Sequence, residues 1–460
     1  MASLTPSVPV RSRQTRYAAG MALRKTVPRS SHAPWTPTAK RADPVSILLK
    51  QGTTRISTLL PIRHQRMKAS PLAFLRGAAA VMAADLATTP TTGLRVQACG
   101  DCHLNNFGCY PSPEGIPVFD INDFDETAPA PFEWDLKRLV TSLVLAGREA
   151  SLPEKACQQL AVSASEQYVA EIHRLATMPP LQAWNERIDV RAIISGIGGH
   201  KTRDRMRRQL DRQLGAISNQ FGMIDPSSAR QLKEKPPFVR RLPENNDIVR
   251  DAFGLYVAQL PPERRIVLER YALQDVIFKV VGVGSVGTFC ALGLFTTGDN
   301  DPLILQIKEA QTSVLEPYAG VVPFANHGQR VVVGQRIMQA TSDAFLGWTH
   351  TDGKRTTKQV GKTAGGGRDF YVRQTKDSRL ALIGEKIEDD LLPEYAELCG
   401  RTLGRAHGRS ADLAVLSGYL GRGRSFSAAI AEFATHYADQ SEQDWRAFVQ
   451  AIAEKRVSCA

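Results

Sequence analysis

Apolar residues recur with a helical period towards both ends of the chain. Ser70-Pro71 is typical of a helix start and predicts a helix through SPLAFLRGAAAVMAADLA (70–87). Residues 132–178 also predict helix, with an apolar stripe at Leu136, Leu139, Val140, Leu143 and Val144. Further helices are predicted for YAELCGRTLGRAHGR (395–409) and for the amphipathic residues 426–455.

Strand patterns lie between these helices. LRVQACG (94–100) predicts a strand that enters a loop, and IPVFDINDFDE (116–126) predicts a strand that returns beside it after a turn at PSPEG. From residue 277 the chain is β-like up to LILQIKEA (303–310), and RDFYVRQ (368–374) predicts another strand. Residues 329–340 favour a helix, although their β-branched content leaves a strand open. The order indicates an α+β protein.

Composition restricts the class of protein. A chain of 460 residues, 43% hydrophobic and 23% charged, is typical of a soluble globular protein of two or three domains. No apolar run reaches about 18 residues, and the N-terminus has no secretory h-region, so we expect neither a membrane span nor export. The odd number of cysteines, seven, and the wide spacing of Cys157, Cys290, Cys399 and Cys459 indicate a reduced, cytoplasmic protein.

The net charge of +12 raises the question of nucleic-acid binding. Many bases lie in residues 1–45, where Asp43 is the one acid and the Ser, Thr and Pro content predicts a flexible arm. A second basic stretch, KTRDRMRRQLDRQL (201–214), interleaves its bases with Asp204 and Asp211, as a solvated helix face does. No aromatic residues alternate with the bases, so a nucleic-acid partner is not expected.

The stretch VQACGDCHLNNFGCY (96–110) fits three kinds of site. Cys99-x-x-Cys102-His103 matches a c-type haem attachment motif, and these residues with Cys109 are a candidate zinc set. Haem attachment needs export and a second axial ligand, and the zinc set lacks a second pair at the usual spacing. The third alternative is a loop for phosphoryl transfer, and the cysteines are then apolar packing.

Phosphoryl transfer needs an aspartate beside the acceptor, and an amide oxygen and a second carboxylate to hold magnesium. Asp101 followed five residues later by Asn106 matches the spacing in H-R-D-x-x-x-x-N. Asp120 and Asp123 both qualify as the second carboxylate, and they belong to an acidic cluster with apolar neighbours, which indicates burial around a cation.

A glycine-rich motif and a lysine lie later in the chain. Gly282, Gly284, Ser285 and Gly287 belong to a G-x-G-x-x-G motif that is followed by a strand, as in a kinase phosphate loop, and not by a helix. Lys308 ends the apolar strand LILQIKEA, which resembles V-A-I-K. In kinases these parts precede the catalytic loop, whereas here they follow it. Joining the chain end to end restores the kinase order, which indicates a circular permutation.

GDCHLNNFG, FDINDFDE, PFEWDLKRL, RMKASPLAFLRG and VGVGSVGT closely resemble the bacterial "domain of unknown function 2252" family, from about residue 20 to 455. The catalytic stretch is in turn similar to H-G-D-x-H-x-x-N and I-D-F-D-D of aminoglycoside and choline kinase-like phosphotransferases. The helix at 395–409 resembles the one before their catalytic loop.

This resemblance implies a role for each matching residue. Asp101 is the expected catalytic base with His103 beside it, Asn106 and Asp120 are expected magnesium ligands, and Asp135 is expected to brace the loop. Asp120 is preferred over Asp123 because of its distance from Asp101 along the chain. No αC glutamate is evident, and Glu316 is the candidate partner of Lys308. Cys99 replaces the first His of the motif, and Phe289 replaces the valine after the glycine loop.

The sequence therefore predicts a circularly permuted, protein-kinase-like two-lobe fold. Its parts are a basic flexible arm (1–45), a helical lobe with the catalytic loop and a metal-binding hairpin (46–270), a β-rich nucleotide-binding lobe (271–375) and C-terminal helices that complete the helical lobe (376–460). The expected function is ATP- and magnesium-dependent phosphotransfer to a small acceptor. The alternative is a nucleotide-binding pseudokinase or an AMP-transferring protein.

Overall fold

The protein, analysed as a computed structural model, is an α+β protein. The structure describes residues 11–460 except for 197–199, 201–202, 205–206, 209, 212–221, 226, 237, 242–245, 281, 283, 285, 321–322, 352–366 and 376–390. The predicted helix face at 201–214 therefore lies largely outside the described residues, as does Ser285. None of the described helices is long and apolar enough to cross a membrane.

Short helices occupy the part of the chain before the first strand: α1 (Arg13–Leu23), α2 (Pro44–Gly52), α3 (Leu60–Lys68), α4 (Pro71–Gly77) and α5 (Ala79–Leu86). Ser70 caps α4 as predicted, with its hydroxyl accepting a hydrogen bond from Ala73 N at 3.1 Å. The predicted single helix 70–87 is interrupted at Ala78, where φ is −110°. Arg63 donates a hydrogen bond to the carbonyl of Gly77 at 2.7 Å, and this bond favours the interruption of the helix.

The prediction of a flexible arm over residues 1–45 is wrong for residues 13–23, which form α1. Ser12 caps this helix, and Gly20 packs directly against the backbone of Val415. Arg29 donates to Leu420 O at 2.9 Å, and His32 contacts the Tyr419 hydroxyl at 2.7 Å. Composition cannot reveal such packing, because the partners lie at the other end of the chain.

The next segment contains four strands and the longest helices of the N-terminal half: β1 (Arg95–Ala98), β2 (Phe107–Pro111), β3 (Pro117–Ile121), β4 (Ala128–Pro131), α6 (Phe132–Glu149), α7 (Glu154–Ala176), α8 (Pro180–Asn185) and α9 (Val190–Gly196). β3 returns antiparallel to β2 and not to β1, which pairs with β4 instead. The sequence pattern predicted β1 and β3 but not β2 and β4, because which strands pair depends on three-dimensional contacts.

The segment from residue 224 to 374 contains a six-stranded sheet. Its elements are β5 (Ile224–Asp225), β6 (Ser228–Leu232), β7 (Val239–Arg240), α10 (Asn246–Gln259), α11 (Pro262–Leu268), β8 (Ala272–Lys279), β9 (Cys290–Thr296), β10 (Pro302–Ala310), α12 (Glu316–Ala319), α13 (His327–Met338), β11 (Gly347–Thr351) and β12 (Arg368–Gln374). The strands of the sheet are antiparallel, in the order β11-β12-β10-β9-β8-β7. The helix favoured over residues 329–340 is confirmed by α13.

The C-terminal helices are α14 (Leu392–Gly408), α15 (Leu413–Leu420) and α16 (Arg424–Ala453). They pack with α6 and α7 into a helical body whose core includes Leu139, Tyr168, Leu403 and Phe433. A separate core beneath the sheet contains Phe253, Phe289 and Phe370. Buried residues of the first strands, among them Val96, Phe107, Phe119 and Ala128, belong to the core of the helical body.

Candidate functional site

A cleft of about 580 Å³ is lined by residues from five separated parts of the chain. We call the first four the basic wall (residues 47–80), the candidate catalytic loop (101–106), the acidic segment (123–126) and the glycine loop (282–287). The end of β10 and the residues up to α13 complete the lining. The catalytic-loop candidate, the acidic segment and the glycine loop, all marked for chemistry by the sequence, therefore meet at one place, whereas Lys308 is not among the lining residues.

Asp135, at the start of α6, holds the entry to the catalytic loop. Its carboxylate accepts hydrogen bonds from Cys99 N at 2.6 Å and Gly100 N at 2.9 Å, and His407 contacts it at 3.2 Å. Gly100 has φ +83°, and a Cβ there would collide with the carbonyl of Glu126. The bracing role expected for Asp135 is thus seen in its contacts.

Asp101 is fixed by a residue that the sequence analysis missed. Arg138 donates through Nε to Asp101 Oδ1 at 2.8 Å and also through Nη2. Burial raises the pKa of Asp101, and the positive charge of Arg138 opposes that shift. A signal was present, because Arg138 follows Asp135 by three residues and helical spacing places both on one face of α6.

His103 and Asn106 complete the loop around Asp101. His103 Nε2 lies 3.8 Å from Asp101 Oδ2, and burial lowers the pKa of His103 well below its usual value, so this imidazole is neutral. Asn106 Nδ2 donates to the carbonyl of Asp101 at 2.6 Å. This bond fixes the side-chain amide of Asn106 at the cleft, with its oxygen as a candidate ligand.

Asp120, the preferred metal ligand, is not at the cleft. Its side chain is 1% exposed and pairs with Arg405, which is equally buried. Its other oxygen accepts a hydrogen bond from Ala340 N at 3.0 Å. Asp123 lines the cleft beside Asp101 and Asn106. The preference for Asp120 is therefore wrong, because the sequence distance from Asp101 did not show which way each carboxylate points.

Lys308 is buried behind the acidic segment. Its side chain is 2% exposed and forms an ion pair with Asp125, which also accepts a hydrogen bond from the Tyr371 hydroxyl at 2.7 Å. Although burial opposes it, the charge of Lys308 lowers the pKa of Asp125 to about 2. Asp125 lines the cleft, whereas Lys308 is not among the lining residues of the space where phosphates were expected.

Glu316 has partners other than the one expected for it. Its carboxylate accepts a hydrogen bond from Ser313 N at 2.9 Å and lies 3.4 Å from Arg330 Nε. The carboxylate that pairs with Lys308 is Asp125, from the acidic segment. The assignment of Glu316 to Lys308 is therefore corrected. In a kinase the glutamate of αC follows the lysine along the chain, whereas Asp125 precedes Lys308 by 183 residues.

Glu126 is a cleft residue with an unusual acidity. Burial raises its pKa to about 7, although Val314 N donates to it at 2.7 Å. The sequence marked it only as a member of an acidic cluster, since its half-buried position and its contact with Val314 are tertiary properties. Near neutral pH this carboxyl is partly protonated.

The glycine loop closes directly over Asp101. An ideal Cβ on Gly284 would lie 3.4 Å from Asp101 Oδ2 and 3.3 Å from Arg76 O. The basic wall holds the loop from outside: Ile56 N donates to Gly287 O at 2.8 Å, and Arg55 donates to Val286 O at 2.6 Å. Gly282, with φ +65°, also lines the cleft.

The metal and haem alternatives can be compared with this geometry. Within the described part of the chain, no three His, Cys, Asp or Glu side chains form a group that would hold a metal ion by themselves. Cys99, Cys102 and Cys109 are buried, and burial raises the pKa of Cys109 to about 12, so this thiol stays protonated. They pack around the catalytic loop. Asn106 and Asp123 are among the hard oxygen donors at the cleft, of the kind that suits Mg²⁺.

Comparison with protein families gives one match. The sequence model of a bacterial family, described as "Uncharacterized protein conserved in bacteria (DUF2252)", matches residues 55–451. No curated protein and no solved structure matches the chain. The matched range includes the whole cleft apart from the start of the basic wall.

Proposed function

The chain belongs to the bacterial DUF2252 family, and we propose that it is an ATP- and magnesium-dependent phosphotransferase with a circularly permuted kinase-like fold. The observation that carries the proposal is the approach of Gly284 to Asp101, with a Cβ position 3.4 Å from the carboxylate. Phosphates lying beneath the glycine loop would then be next to the group that orients an acceptor.

The order of the elements supports the kinase comparison. The glycine loop joins β8 to β9, Lys308 lies on the next strand, and α13 follows, as the phosphate loop, the lysine strand and helix αC do in protein kinases. The end of α14 then meets the beginning of the catalytic segment, where Gln97 N donates to Ser410 Oγ at 2.8 Å. A permuted chain needs this junction between distant parts of the sequence.

The residues of the cleft divide the chemistry among them. Asp101, held by Arg138, would accept the proton of an acceptor hydroxyl or amine as the acceptor's oxygen or nitrogen attacks the γ-phosphorus. The bond between that phosphorus and the β,γ-bridging oxygen would break, and ADP would leave. Backbone N–H groups of the glycine loop would bind the phosphates. Asp135 and Asn106 keep the catalytic loop in place, so that Asp101 needs little rearrangement during reaction.

Magnesium fits the donors at this site. Asn106 and Asp123 would hold it, and the ion supplies neutralisation of the charge that develops on the phosphates. Mg²⁺ needs only one or two carboxylates from the protein when phosphates and water provide the remaining ligands. The absence of a three-residue metal group among the described side chains is therefore compatible with the proposal.

Calorimetry with a non-hydrolysable ATP analogue tests this function. We expect the analogue to bind with magnesium, to bind more weakly without it, and to bind far better than adenosine. One variant sharpens the test: Asp101→Asn should keep analogue binding and slow ATP turnover strongly, because the base acts on the chemical step. Wild-type protein that binds no nucleotide under any of these conditions would rule the proposal out.

One observation favours the second candidate, a nucleotide-binding protein without phosphotransfer or one that transfers AMP. Lys308 is engaged by Asp125, so the lysine has a role different from the one expected in a kinase. ATP labelled on either its α- or its γ-phosphate separates the alternatives. Transfer of the γ-phosphate label to an acceptor supports phosphotransfer, and transfer of the α-phosphate label supports AMP transfer. If neither label is transferred, the protein is a nucleotide binder.

A further inference from the structure

The cleft carries opposite charges on different parts of its lining. Carboxylates come from the catalytic loop, the acidic segment and β10: Asp101, Asp123, Asp125, Glu126 and Glu309. The basic wall contributes cations to the same cleft, namely Lys50, Arg55 and Arg76. A ligand that fills the cleft therefore meets a metal-attracting side and a side that attracts anions.

The basic wall is free of acids by sequence. Between Asp43 and Asp85 the chain contains no Asp or Glu, whereas its Lys and Arg residues are Lys50, Arg55, Arg63, Arg66, Lys68 and Arg76. Arg63 is buried and bonds to Gln51 and Gly77, so its role is structural. Arg66 is not among the lining residues, although it donates a hydrogen bond to the carbonyl of Gly282, which is.

The three bases that line the cleft have different positions. Arg55 donates a hydrogen bond to the carbonyl of Val286 and therefore lies next to the glycine loop. Arg76 lies on the side of Asp101: its carbonyl is 3.3 Å from the Cβ position of Gly284, and its charge, together with burial, lowers the pKa of His103. Lys50 belongs to α2, is exposed, and also lines the cleft. An acceptor beside Asp101 would therefore lie next to Arg76.

We propose that the acceptor is an anion, which presents its hydroxyl or amine to Asp101 while Arg76 and Lys50 bind its phosphate or carboxylate group. This inference rests on the proposed function. A guanidinium binds either anion through paired N–H donors, and a nearby ammonium adds attraction. Cationic acceptors, such as those of the aminoglycoside and choline kinases that the sequence resembles, would be repelled by the same wall.

The test uses full-length protein saturated with the non-hydrolysable ATP analogue and magnesium. Inorganic phosphate, acetate and choline are titrated into it by calorimetry, and phosphate against acetate distinguishes a phosphorylated from a carboxylated acceptor. We expect an anion to bind and choline not to bind. Arg76→Gln should weaken anion binding about tenfold or more, as expected for loss of a charged hydrogen bond, and should leave analogue binding unchanged.

Lys68→Gln is the matched control, because it removes the same charge from the same wall outside the cleft lining. If Arg76→Gln does not fold, Lys50→Gln, at an exposed position, replaces it. Unchanged anion binding in the cleft variant, binding of choline, or an equal loss of analogue binding would overturn the inference. Wild-type protein that fails to bind the analogue would instead overturn the proposed function on which it rests.

Discussion

At the scale of single residues, Asp120 and Asp123 are close in sequence and differ in environment. Asp120 is paired with Arg405, and both side chains are 1% exposed, whereas Asp123 lines the cleft. Asp120→Asn should lower the free energy of unfolding by about 3–5 kcal/mol, since it leaves a buried charge without its partner. Asp123→Asn should change stability little and remove the magnesium dependence of nucleotide binding. Urea unfolding and calorimetry measure the two effects.

The pair Asp120→Asn and Arg405→Met provides the control for this prediction. The double variant should recover part of the stability lost in Asp120→Asn, because it removes both charges from the interior. A folded Asp120→Asn protein of wild-type stability that has lost its magnesium dependence would return the metal role to Asp120.

At the scale of elements, two glycines with left-handed backbone separate conformational cost from close packing. Gly100, before the catalytic loop, has φ +83° and no room for a Cβ because of the Glu126 carbonyl. Gly115, in the turn between β2 and β3, has φ +76° and open space around it. Gly115→Ala should lower the free energy of unfolding by about 1–2 kcal/mol, because only the left-handed backbone conformation is unfavourable for alanine there. Gly100→Ala should cost more and disturb the hydrogen bonds from the loop to Asp135.

Thermal unfolding of both alanine variants measures the difference. Nucleotide binding should fall in the Gly100 variant and stay at the wild-type level in the Gly115 variant, which serves as its control. Equal effects at the two positions would mean that the catalytic loop tolerates displacement, and that the Asp135 contacts do not determine its position.

At the scale of the whole molecule, the cleft exists only where the sheet meets the helical body. Binding of the ATP analogue with magnesium should therefore stabilise both sides together, by about 2.7 kcal/mol at a ligand concentration of 100 times Kd. Hydrogen exchange should slow in peptides covering residues 99–106 and 286–292, with α1 as an internal reference distant in sequence from both. Protection confined to the sheet would contradict a site shared between the two parts.

Much of the candidate chemistry was accessible from the sequence because it depends on local spacing. Asp101 and Asn106 lie on one short loop, the glycine loop lies between two strand patterns, and RDFYVRQ forms β12 over the predicted residues. Helical periodicity and turn residues act over a few positions, so they identify elements without knowledge of the partners. The helix starting after Ser70 is predicted for the same reason.

Only the tertiary structure decided which charged groups face one another. Asp120 points to Arg405, Lys308 points to Asp125, and Arg138 holds Asp101, although the two members of each pair are far apart in sequence. Burial and electrostatic pairing depend on distances in space, and strand direction or motif spacing does not give them. The folding of α1 into a packed helix also depends on tertiary contacts. Its composition predicts a flexible arm, but the backbone of α15 provides the surface against which it packs.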